Sequence, residues 1–340
     1  MRFVTVEAGG RQRLGVLEDG HIFLLAPLAR LAARERARGR AHRRGRASGE
    51  MPDDMLSFIE RGTLSQARTA LAHGRRLLRD GRARDLVVPL SKVRLLAPIP
   101  RPRKNIVCVG RNYAEHARES GSAVPAVPVF FTKPPTCVVG PEAAVVHHAV
   151  TQALDYEVEL AVVIGRRGRD IPVDRALDYV FGYTVMNDIT ARDLQRRHEQ
   201  WFKGKSLDTF GPMGPAIVHR SAIPDPQDLR LQLRVNGEGR QDASTRAMIF
   251  PVAQLIATLS AGMTLEPGDI LATGTPEGVA MGRTPPPWLV PGDVVEAEID
   301  RIGVLRNRIV APQRQSPGPS SAPGMSLEPS VTQSLHFPGT

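Results

Sequence analysis

Three acidic residues alternate with apolar residues at the start of a predicted strand over 155–164, namely Asp155, Glu157 and Glu159. Because side chains in a strand alternate between its two faces, these carboxylates point to the same side. The apolar run that follows indicates that this face lies near the core. Such a cluster is tolerated if it is solvated, protonated or neutralised by a cation. Two interpretations therefore stay open: an exposed strand face, or a site for a hard divalent cation such as Mg²⁺, Mn²⁺ or Ca²⁺.

Other polar residues are placed where they could take part in chemistry. Asp188 follows a predicted strand over 180–186, at the kind of strand end where rigid backbone supports metal ligands. His116 and Glu119 share one face of a predicted short helix over 112–120, although an ordinary surface pair has the same spacing. Thr190 and Asp193 fit a capping box at the start of the next helix, which gives Asp193 a structural role.

Composition excludes several classes of protein. The chain has 340 residues and a net charge of +10, with only two cysteines, neither in a CxxC pair. Zinc and disulfide frameworks are therefore not expected. No apolar run is long enough to span a membrane, and the first residues lack the apolar core of a signal peptide, so a cytoplasmic location is expected. Much of the positive charge comes from an Arg-rich stretch over 34–46 without aromatics, which favours a solvated insertion over a nucleic-acid-binding arm.

The order of predicted elements indicates three regions. Residues 1–97 form a small domain, with strands around a turn at 18–20, a disordered Arg-rich insertion at 31–50 and a helix over 53–84. A Pro-rich linker leads to a second domain over 104–311, which includes a hairpin around Asn236-Gly237. Its glycine-rich loop over 273–279 lacks the Gly-Lys-Ser/Thr of a P-loop. Residues 312–340 are rich in Pro, Ser, Gly and Gln, which predicts a disordered tail.

Six motifs in the second domain resemble those of the fumarylacetoacetate hydrolase family, which includes acylpyruvate hydrolases and hydroxyheptadienedioate isomerases. They are GRNYAEHARE, VFFTKP, LDYEVELAVVIG, GYTVMNDITARDLQ, WFKGKSLDTFGPMGP and PGDILATGTPEGV, in the family's order. The resemblance implies an α+β, mainly β fold: a mixed β-roll of the fumarylacetoacetase C-terminal type, here with a small N-terminal α+β domain. It also implies a homodimer.

The resemblance also implies roles for individual residues. The expected metal ligands are Glu157, Glu159 and Asp188, the expected catalytic residues His116, Glu119 and Lys205, and the expected substrate contacts Tyr113, Gln195 and Thr275. Asp155 occupies a family position that supports the ligands without binding the metal. The pair His147-His148 departs from the family pattern, and either a second metal site or, as we favour, surface histidines would explain it.

These residues suggest a mechanism. Three carboxylates and several waters make an octahedral oxygen site that suits Mg²⁺, with Mn²⁺ or Ca²⁺ as alternatives, and open positions would let a 2-oxo acid chelate the metal. His116 would be the general base, Glu119 would orient it, and Lys205 would stabilise the developing oxyanion. The leading prediction is hydrolysis of a carbon–carbon bond in an acylpyruvate-type diketo acid. The alternatives are isomerisation or decarboxylation of a hydroxyheptadienedioate-type intermediate of aromatic degradation, or a basic binding protein without catalysis, although nucleic-acid binding is not expected.

Overall fold

The N-terminal third of the chain forms a strand meander followed by three helices. The computed structural model describes residues 1–38 and 50–312. The elements of this first part are β1 (Arg2–Ala8), β2 (Arg11–Glu18), β3 (His21–Leu24), α1 (Leu25–Arg38), α2 (Met55–Arg61), α3 (Leu64–Arg79), β4 (Val87–Pro89) and β5 (Arg94–Leu95). The turn predicted at 18–20 joins β2 to β3, with Asp19 and Gly20 at positive φ.

The rest of the described chain is mainly strand. Its elements are β6 (Ile106–Gly110), α4 (Ala114–Glu119), β7 (Val129–Lys133), β8 (Val138–Val139), β9 (Ala144–Val146), β10 (Leu154–Asp155), β11 (Val158–Ile164), β12 (Val180–Asn187), β13 (Thr190–Ala191), α5 (Arg192–Arg197), α6 (Phe202–Lys205), β14 (Gly211–His219), β15 (Arg230–Val235), β16 (Glu238–Ser244), α7 (Val252–Ser260), β17 (Ile270–Ala272), β18 (Val294–Ile299) and β19 (Gly303–Val310). The mixed, mainly β fold that the sequence predicted is confirmed.

One large sheet runs through both predicted domains. Its strand order is β4-β3-β2-β1-β14-β12-β11-β17-β6-β7, with β5 on β1 and β8 on β14. The junction is the antiparallel pairing of Arg2 with Val218 and Phe3 with Ile217. The N-terminal meander therefore extends the sheet that carries the acidic strand. The division at residue 97 stays a prediction, since main-chain pairing continues across it.

A second sheet covers the middle of the first. It has five strands in the order β16-β15-β18-β19-β9, and β15 and β18 lie against β11 and β12. The predicted hairpin between β15 and β16 is confirmed, with Asn236 and Gly237 at φ values of 53° and 82°. Positive φ at both positions is the geometry of a two-residue type I′ turn, which favours Asn-Gly. All seven residues of β11 are buried, with Leu160 and Val162 in the core shared with β15 and β18, and Ala161 and Val163 in the core shared with α2 and α3.

Two predictions about the helical region were wrong. The single helix predicted over 53–84 is two helices, because Thr63 caps α3 in a capping box with Gln66 and so ends the helical run of α2. An insertion at 31–50 was predicted to be disordered, but residues 31–38 continue α1. Within this segment Glu35 forms an ion pair with Arg76. Residues 39–49 and the tail beyond 312 lie outside the described residues. Within the described ranges, no helix is long and apolar enough to cross a membrane.

Candidate metal centre and its cleft

The predicted acidic strand is interrupted between Asp155 and Val158. Asp155 belongs to β10, which pairs with β13, whereas β11 begins at Val158 and pairs with β12 and β17. Where the strand changes partner, the N–H of Glu157 donates to Asn187 Oδ1 at 2.9 Å, and its carbonyl accepts the N–H of Asp188 at 2.8 Å. The three acids are nevertheless buried, with exposed fractions of 0%, 3% and 1% for Asp155, Glu157 and Glu159. The interpretation as an exposed strand face is therefore wrong.

Glu157, Glu159 and Asp188 come together in one buried cluster. Each offers a carboxylate oxygen, and these oxygens lie within 4.8 Å of one another. Asp188 reaches the cluster because β12 lies directly beside β11, with Val158 opposite Asn187. Three buried carboxylates are a donor set that suits a hard divalent cation. The residues therefore fit the metal that the sequence predicted.

Two buried lysines stabilise this cluster. Lys205 Nζ donates to Glu157 Oε2 at 2.6 Å and to Asp188 Oδ2 at 2.8 Å. Lys133 Nζ donates to Asp188 Oδ1 at 2.5 Å, and also to the carbonyl oxygens of Ile189 and Lys205. Lys133 was not singled out from the sequence, because nothing local indicates that β7 brings it to Asp188. Lys205 lies where a catalytic role was predicted, but its described partners are carboxylates.

A buried arginine, also missed by sequence reasoning, holds Asp155 and Glu157. Arg192 donates through Nε to Asp155 Oδ2 at 2.8 Å and through Nη2 to Glu157 Oε1 at 2.5 Å. Asp155 also accepts the N–H groups of Ala280 and Met281, at 2.8 and 3.2 Å. Asp155 thus ties the cluster to the loop over 278–282 and is not among the three clustered ligand groups. This arrangement agrees with its expected supporting position.

The capping box predicted for Thr190 and Asp193 was wrong. Helix α5 begins at Arg192, its N-cap is Ala191, and no side chain caps it. Thr190 Oγ1 instead donates to the carbonyl oxygen of Asp188 at 2.8 Å. Asp193 accepts a hydrogen bond from Thr151 Oγ1 at 2.6 Å, so its role is structural but differs from the one predicted.

The pKa values of Glu157 and Glu159 are shifted in opposite directions. Burial alone raises the pKa of Glu157, but the charges of Lys205 and Arg192 outweigh it and bring the pKa to about 2. Burial raises the pKa of Glu159 well above its usual range, and the charges of Asp188 and Glu157 raise it further. Glu159 forms no ion pair with the described residues and accepts a hydrogen bond from the N–H of Gly274, at 2.9 Å. The four acids thus have three cations as partners, and a bound divalent cation would favour the ionised form of Glu159, which has none.

The predicted proton-transfer pair lies on α4. His116 Nδ1 is 3.5 Å from Glu119 Oε2, a long contact, and His116 is buried. Both carboxylate oxygens of Glu119 also accept the N–H of Gly278, at 3.0 and 3.1 Å. Glu119 therefore connects α4 to the loop that follows Thr275.

A cleft of about 360 Å³ brings most of the predicted residues together. Its walls include six of the nine, His116, Glu157, Glu159, Gln195, Lys205 and Thr275. Asp188 and Glu119 lie behind the walls and reach the cleft through the contacts described above. Gln195 accepts from Arg192 at 3.2 Å, and Thr275 Oγ1 accepts from Gln241 at 2.9 Å.

Tyr113 is not brought to the cleft wall. Its ring is 1% exposed and belongs to the main apolar core, and its hydroxyl has no hydrogen-bond partner in the described protein. Burial raises the pKa of this hydroxyl, and the charge of Glu159 adds to the shift, so the phenol stays neutral. The expected direct contact with substrate is therefore not supported by the position of Tyr113.

His147 and His148 do not form a second metal site. In the described part of the chain, the carboxylate triad is the one group of three or more His, Cys, Asp or Glu side chains close enough to hold an ion. Both histidines are half-buried, and His148 Nε2 lies 3.0 Å from the carbonyl oxygen of Asp208.

Comparison with known proteins agrees with this geometry. Residues 105–310 match the model of the fumarylacetoacetate hydrolase C-terminal family. The chain belongs to this family. The resemblance inferred from the six motifs is thereby confirmed. The oxaloacetate tautomerase YisK of Bacillus subtilis (strain 168) is 57% identical over 223 residues, which cover 65% of this chain and 74% of that protein.

Solved structures of the family have the same fold. The fumarylacetoacetate hydrolase of Exiguobacterium antarcticum is 41% identical, covers 92% of this chain and 100% of its own, and superposes with a TM-score of 0.72. The 2-hydroxyhepta-2,4-diene-1,7-dioate isomerase of Mycobacterium marinum is 32% identical and covers 92% of this chain and 98% of its own, with a TM-score of 0.65. The relatives are thus named as tautomerases, isomerases and hydrolases. A metal-dependent enzyme that acts on a 2-oxo acid fits both the family and the carboxylate cluster.

Proposed function

We propose that this protein is a divalent-metal-dependent tautomerase that interconverts the enol and keto forms of a 2-oxo acid of the oxaloacetate type. The observation that carries the proposal is that Glu157, Glu159 and His116 line the same cleft. Keto–enol interconversion moves one proton between C3 and the oxygen on C2. It therefore requires one group that exchanges this proton and positive charge that stabilises the enolate. The name of the Bacillus subtilis relative supports the same reaction.

Glu157, Glu159 and Asp188 would hold the cation, for which we propose Mg²⁺. When bound, the cation would supply positive charge beside the carboxylate and the 2-oxo oxygen of the substrate. In ketonisation the enol O–H bond breaks and a C3–H bond forms, and His116, the imidazole on the cleft wall, would carry the proton. Glu119 orients the imidazole from 3.5 Å away.

Lys205 is better suited than Lys133 to contact the substrate oxygen. An ammonium group has three N–H donors. All three of Lys133 have partners, in Asp188, Ile189 and Lys205, and its side chain is fully buried. Lys205 uses two donors on Glu157 and Asp188, which leaves one N–H on a side chain that lines the cleft. Lys205 is therefore the proposed donor to the enolate, and Lys133 a structural counter-charge.

Carbon–carbon hydrolysis of an acylpyruvate, the leading prediction from the sequence, stays a prediction. It would use the same enolate but would also need a water molecule placed against the distal carbonyl carbon. Because the Exiguobacterium neighbour is named a hydrolase, this reaction is included in the test. Isomerisation of a dienedioate, as in the name of the Mycobacterium marinum protein, is again a proton shift that the same residues could perform.

The test measures three reactions on one preparation of the full chain, with Mg²⁺, with Mn²⁺ and after chelation. The substrates are the enol form of oxaloacetate, an acylpyruvate and 2-hydroxyhepta-2,4-diene-1,7-dioate. We expect metal-stimulated ketonisation of oxaloacetate, lowered about 10²–10⁴-fold in His116→Ala. Oxalate binding with Mg²⁺ should persist in this variant. A metal-loaded protein that leaves the rate of ketonisation unchanged would refute the proposal, and cleavage of the acylpyruvate alone would favour hydrolysis.

The expected homodimer and the expected absence of nucleic-acid binding also remain proposals. Light scattering of the purified protein tests the first. A salt titration of nucleic-acid binding, comparing the full chain with one lacking 31–50, tests the second, since phosphate contacts weaken steeply with salt.

A further inference from the structure

One half-buried arginine of the cleft wall differs from the buried cations of the site because it has no ion-pair partner among the described residues. Arg192 is saturated by Asp155 and Glu157, as described above. Arg111 also lines the cleft, but it forms no ion pair with the described residues, and its Nε is buried without a hydrogen-bond partner. A buried donor without a partner is costly unless a ligand or water satisfies it. The guanidinium of Arg111 is therefore available to an anion in the cleft.

The backbone holds Arg111 in a fixed position. It follows the last residue of β6 and has a φ of 55°, in the left-handed region that non-glycine residues seldom occupy. Its neighbour Asn112 is fully buried and makes three hydrogen bonds, to the carbonyl oxygens of Phe250 and Thr273 and from the N–H of Phe250. The strand end and this anchored asparagine thus fix the direction in which Arg111 leaves the chain.

An aromatic wall holds the side chain of Arg111. Its Cζ lies 5.4 Å from the ring centre of Trp201, which meets the ring of Phe131 edge-on at 5.4 Å. Lys205 Nζ lies 5.2 Å from the centre of the Phe131 ring. Gly110 makes this packing possible, because a Cβ there would lie 2.1 Å from the Trp201 ring. A continuous row of contacts therefore leads from Lys205, at the carboxylate triad, across two aromatic rings to Arg111.

From this arrangement we infer that Arg111 binds the distal carboxylate of the substrate and makes the enzyme selective for dicarboxylic 2-oxo acids. The inference rests on the proposed function and adds the residue that recognises the distal carboxylate of the substrate. The carboxylate triad would hold the 2-oxo acid end through its cation, and Arg111 would receive the carboxylate at the other end. A guanidinium fork binds a carboxylate through two parallel hydrogen bonds, and stacking on Trp201 orients the fork beforehand. Arg196 also lines the cleft, but it is exposed on α5.

The test compares two unreactive ligands that share one end. Malate and 2-hydroxybutyrate carry the same 2-hydroxy acid group and differ in having a carboxylate or a methyl group at the distal position. Titration calorimetry with Mg²⁺ gives the affinity of each for the wild type, Arg111→Met, Arg196→Met and Arg197→Met. Arg197→Met is the matched control, since it removes the same charge from an exposed position that does not line the cleft.

We expect the wild type to bind malate about 10- to 100-fold more tightly than 2-hydroxybutyrate, as a charge-assisted hydrogen-bond pair implies. Arg111→Met should lose this preference while binding 2-hydroxybutyrate normally, and Arg197→Met should keep it. A wild type without the preference, an Arg111→Met that retains it, or its loss in Arg196→Met alone would each overturn the inference. Turnover of oxaloacetate by the wild type is measured separately, so failure of the proposed function would be recognised independently of these ratios.

Discussion

Glu119 is more closely bound to Gly278 than to His116. Its two carboxylate oxygens accept the Gly278 N–H at 3.0 and 3.1 Å, whereas the shortest contact with His116 is 3.5 Å. The loop that holds Gly278 also supplies Thr275 to the cleft and is tied at Ala280 to Asp155. Glu119 therefore holds α4, and with it His116, against this loop, and its role in the proposed mechanism is to position His116.

Gly282 offers a way to disturb this connection without changing any charged group. A Cβ at Gly282 would lie 2.1 Å from the Glu119 carboxylate, so an alanine must displace that side chain. We expect Gly282→Ala to lower kcat for ketonisation by about tenfold to a hundredfold, the cost typical of misplacing a catalytic group by about 1 Å. Mg²⁺ affinity should stay near that of the wild type, because the triad is not touched.

The matched control is Gly239→Ala, since nothing lies within 4 Å of a Cβ at that position. Steady-state kinetics and calorimetry on both variants separate the two effects. If the rates of Gly282→Ala and Gly239→Ala are equal, the position of Glu119 does not matter for turnover.

The proposed metal site can be tested at Glu159. Glu159→Gln keeps the shape of the side chain but leaves two carboxylates for the cation, and hard cations favour charged oxygen. Mg²⁺ binding should weaken by at least the 10–100-fold that is typical when merely supporting groups of a metal site are changed. The metal-free protein should become slightly more stable, because Glu159 no longer repels Glu157 and Asp188 inside the protein.

Calorimetric titration with Mg²⁺ and thermal melting after chelation measure these two outcomes. Glu142→Gln is the control, because it removes one negative charge from an exposed residue. Unchanged affinity and unchanged activity in Glu159→Gln would mean that the acids do not form a metal site.

Arg192 should contribute strongly to stability. It is 2% exposed and bridges Asp155 and Glu157, so Arg192→Met leaves buried Asp155 without its cation and Glu157 with Lys205 alone. Breaking a buried ion pair in this way costs about 3–5 kcal/mol in the free energy of unfolding. Urea denaturation measures the loss, and Arg197→Met, at an exposed position on the same helix, should change it by less than about 0.5 kcal/mol. Similar values for the two variants would contradict the role of Arg192.

The carboxylate cluster could be predicted from the sequence because its signals are local. Glu157 and Glu159 alternate along one strand, and Asp188 follows the end of another. The two strands pair side by side, so little beyond the strand assignment was needed to bring the acids together. The Asn-Gly turn of the hairpin was predicted for the same reason, since its positive φ values depend on those two residues.

The groups that neutralise the cluster could not be predicted, because they come from distant elements. Lys133 approaches Asp188 from β7. Arg192 was missed because the expected capping box placed the helix start at Thr190. Local signals were also missed: Thr63 and Gln66 form a capping box that divides the predicted long helix. The extension of the sheet through β1 and β14 depends on long-range pairing that no pattern within residues 1–97 indicates.

His219 should make the protein less stable in acid. Its ring packs edge-on against Phe181 at 5.5 Å, and burial lowers its pKa, aided by the charges of the chain's amino terminus and Arg220, from 6.5 to about 4. The unfolded chain therefore gains a proton near pH 6.5, whereas the folded protein gains it only near pH 4. The stability that neutral His219 provides is complete above pH 6.5 and is lost as the pH falls toward 4.

Because the ring is partly exposed, we expect a loss of only about 1–2 kcal/mol after screening by solvent. His219→Asn cannot take up this proton and retains an acceptor for the N–H of Ser221, so its free energy of unfolding should fall less between pH 7 and pH 4.5. Urea denaturation at several pH values measures the difference, with His198→Asn as an exposed control that should follow the wild type. Parallel curves for the wild type and His219→Asn would show that His219 does not titrate differently in the folded protein.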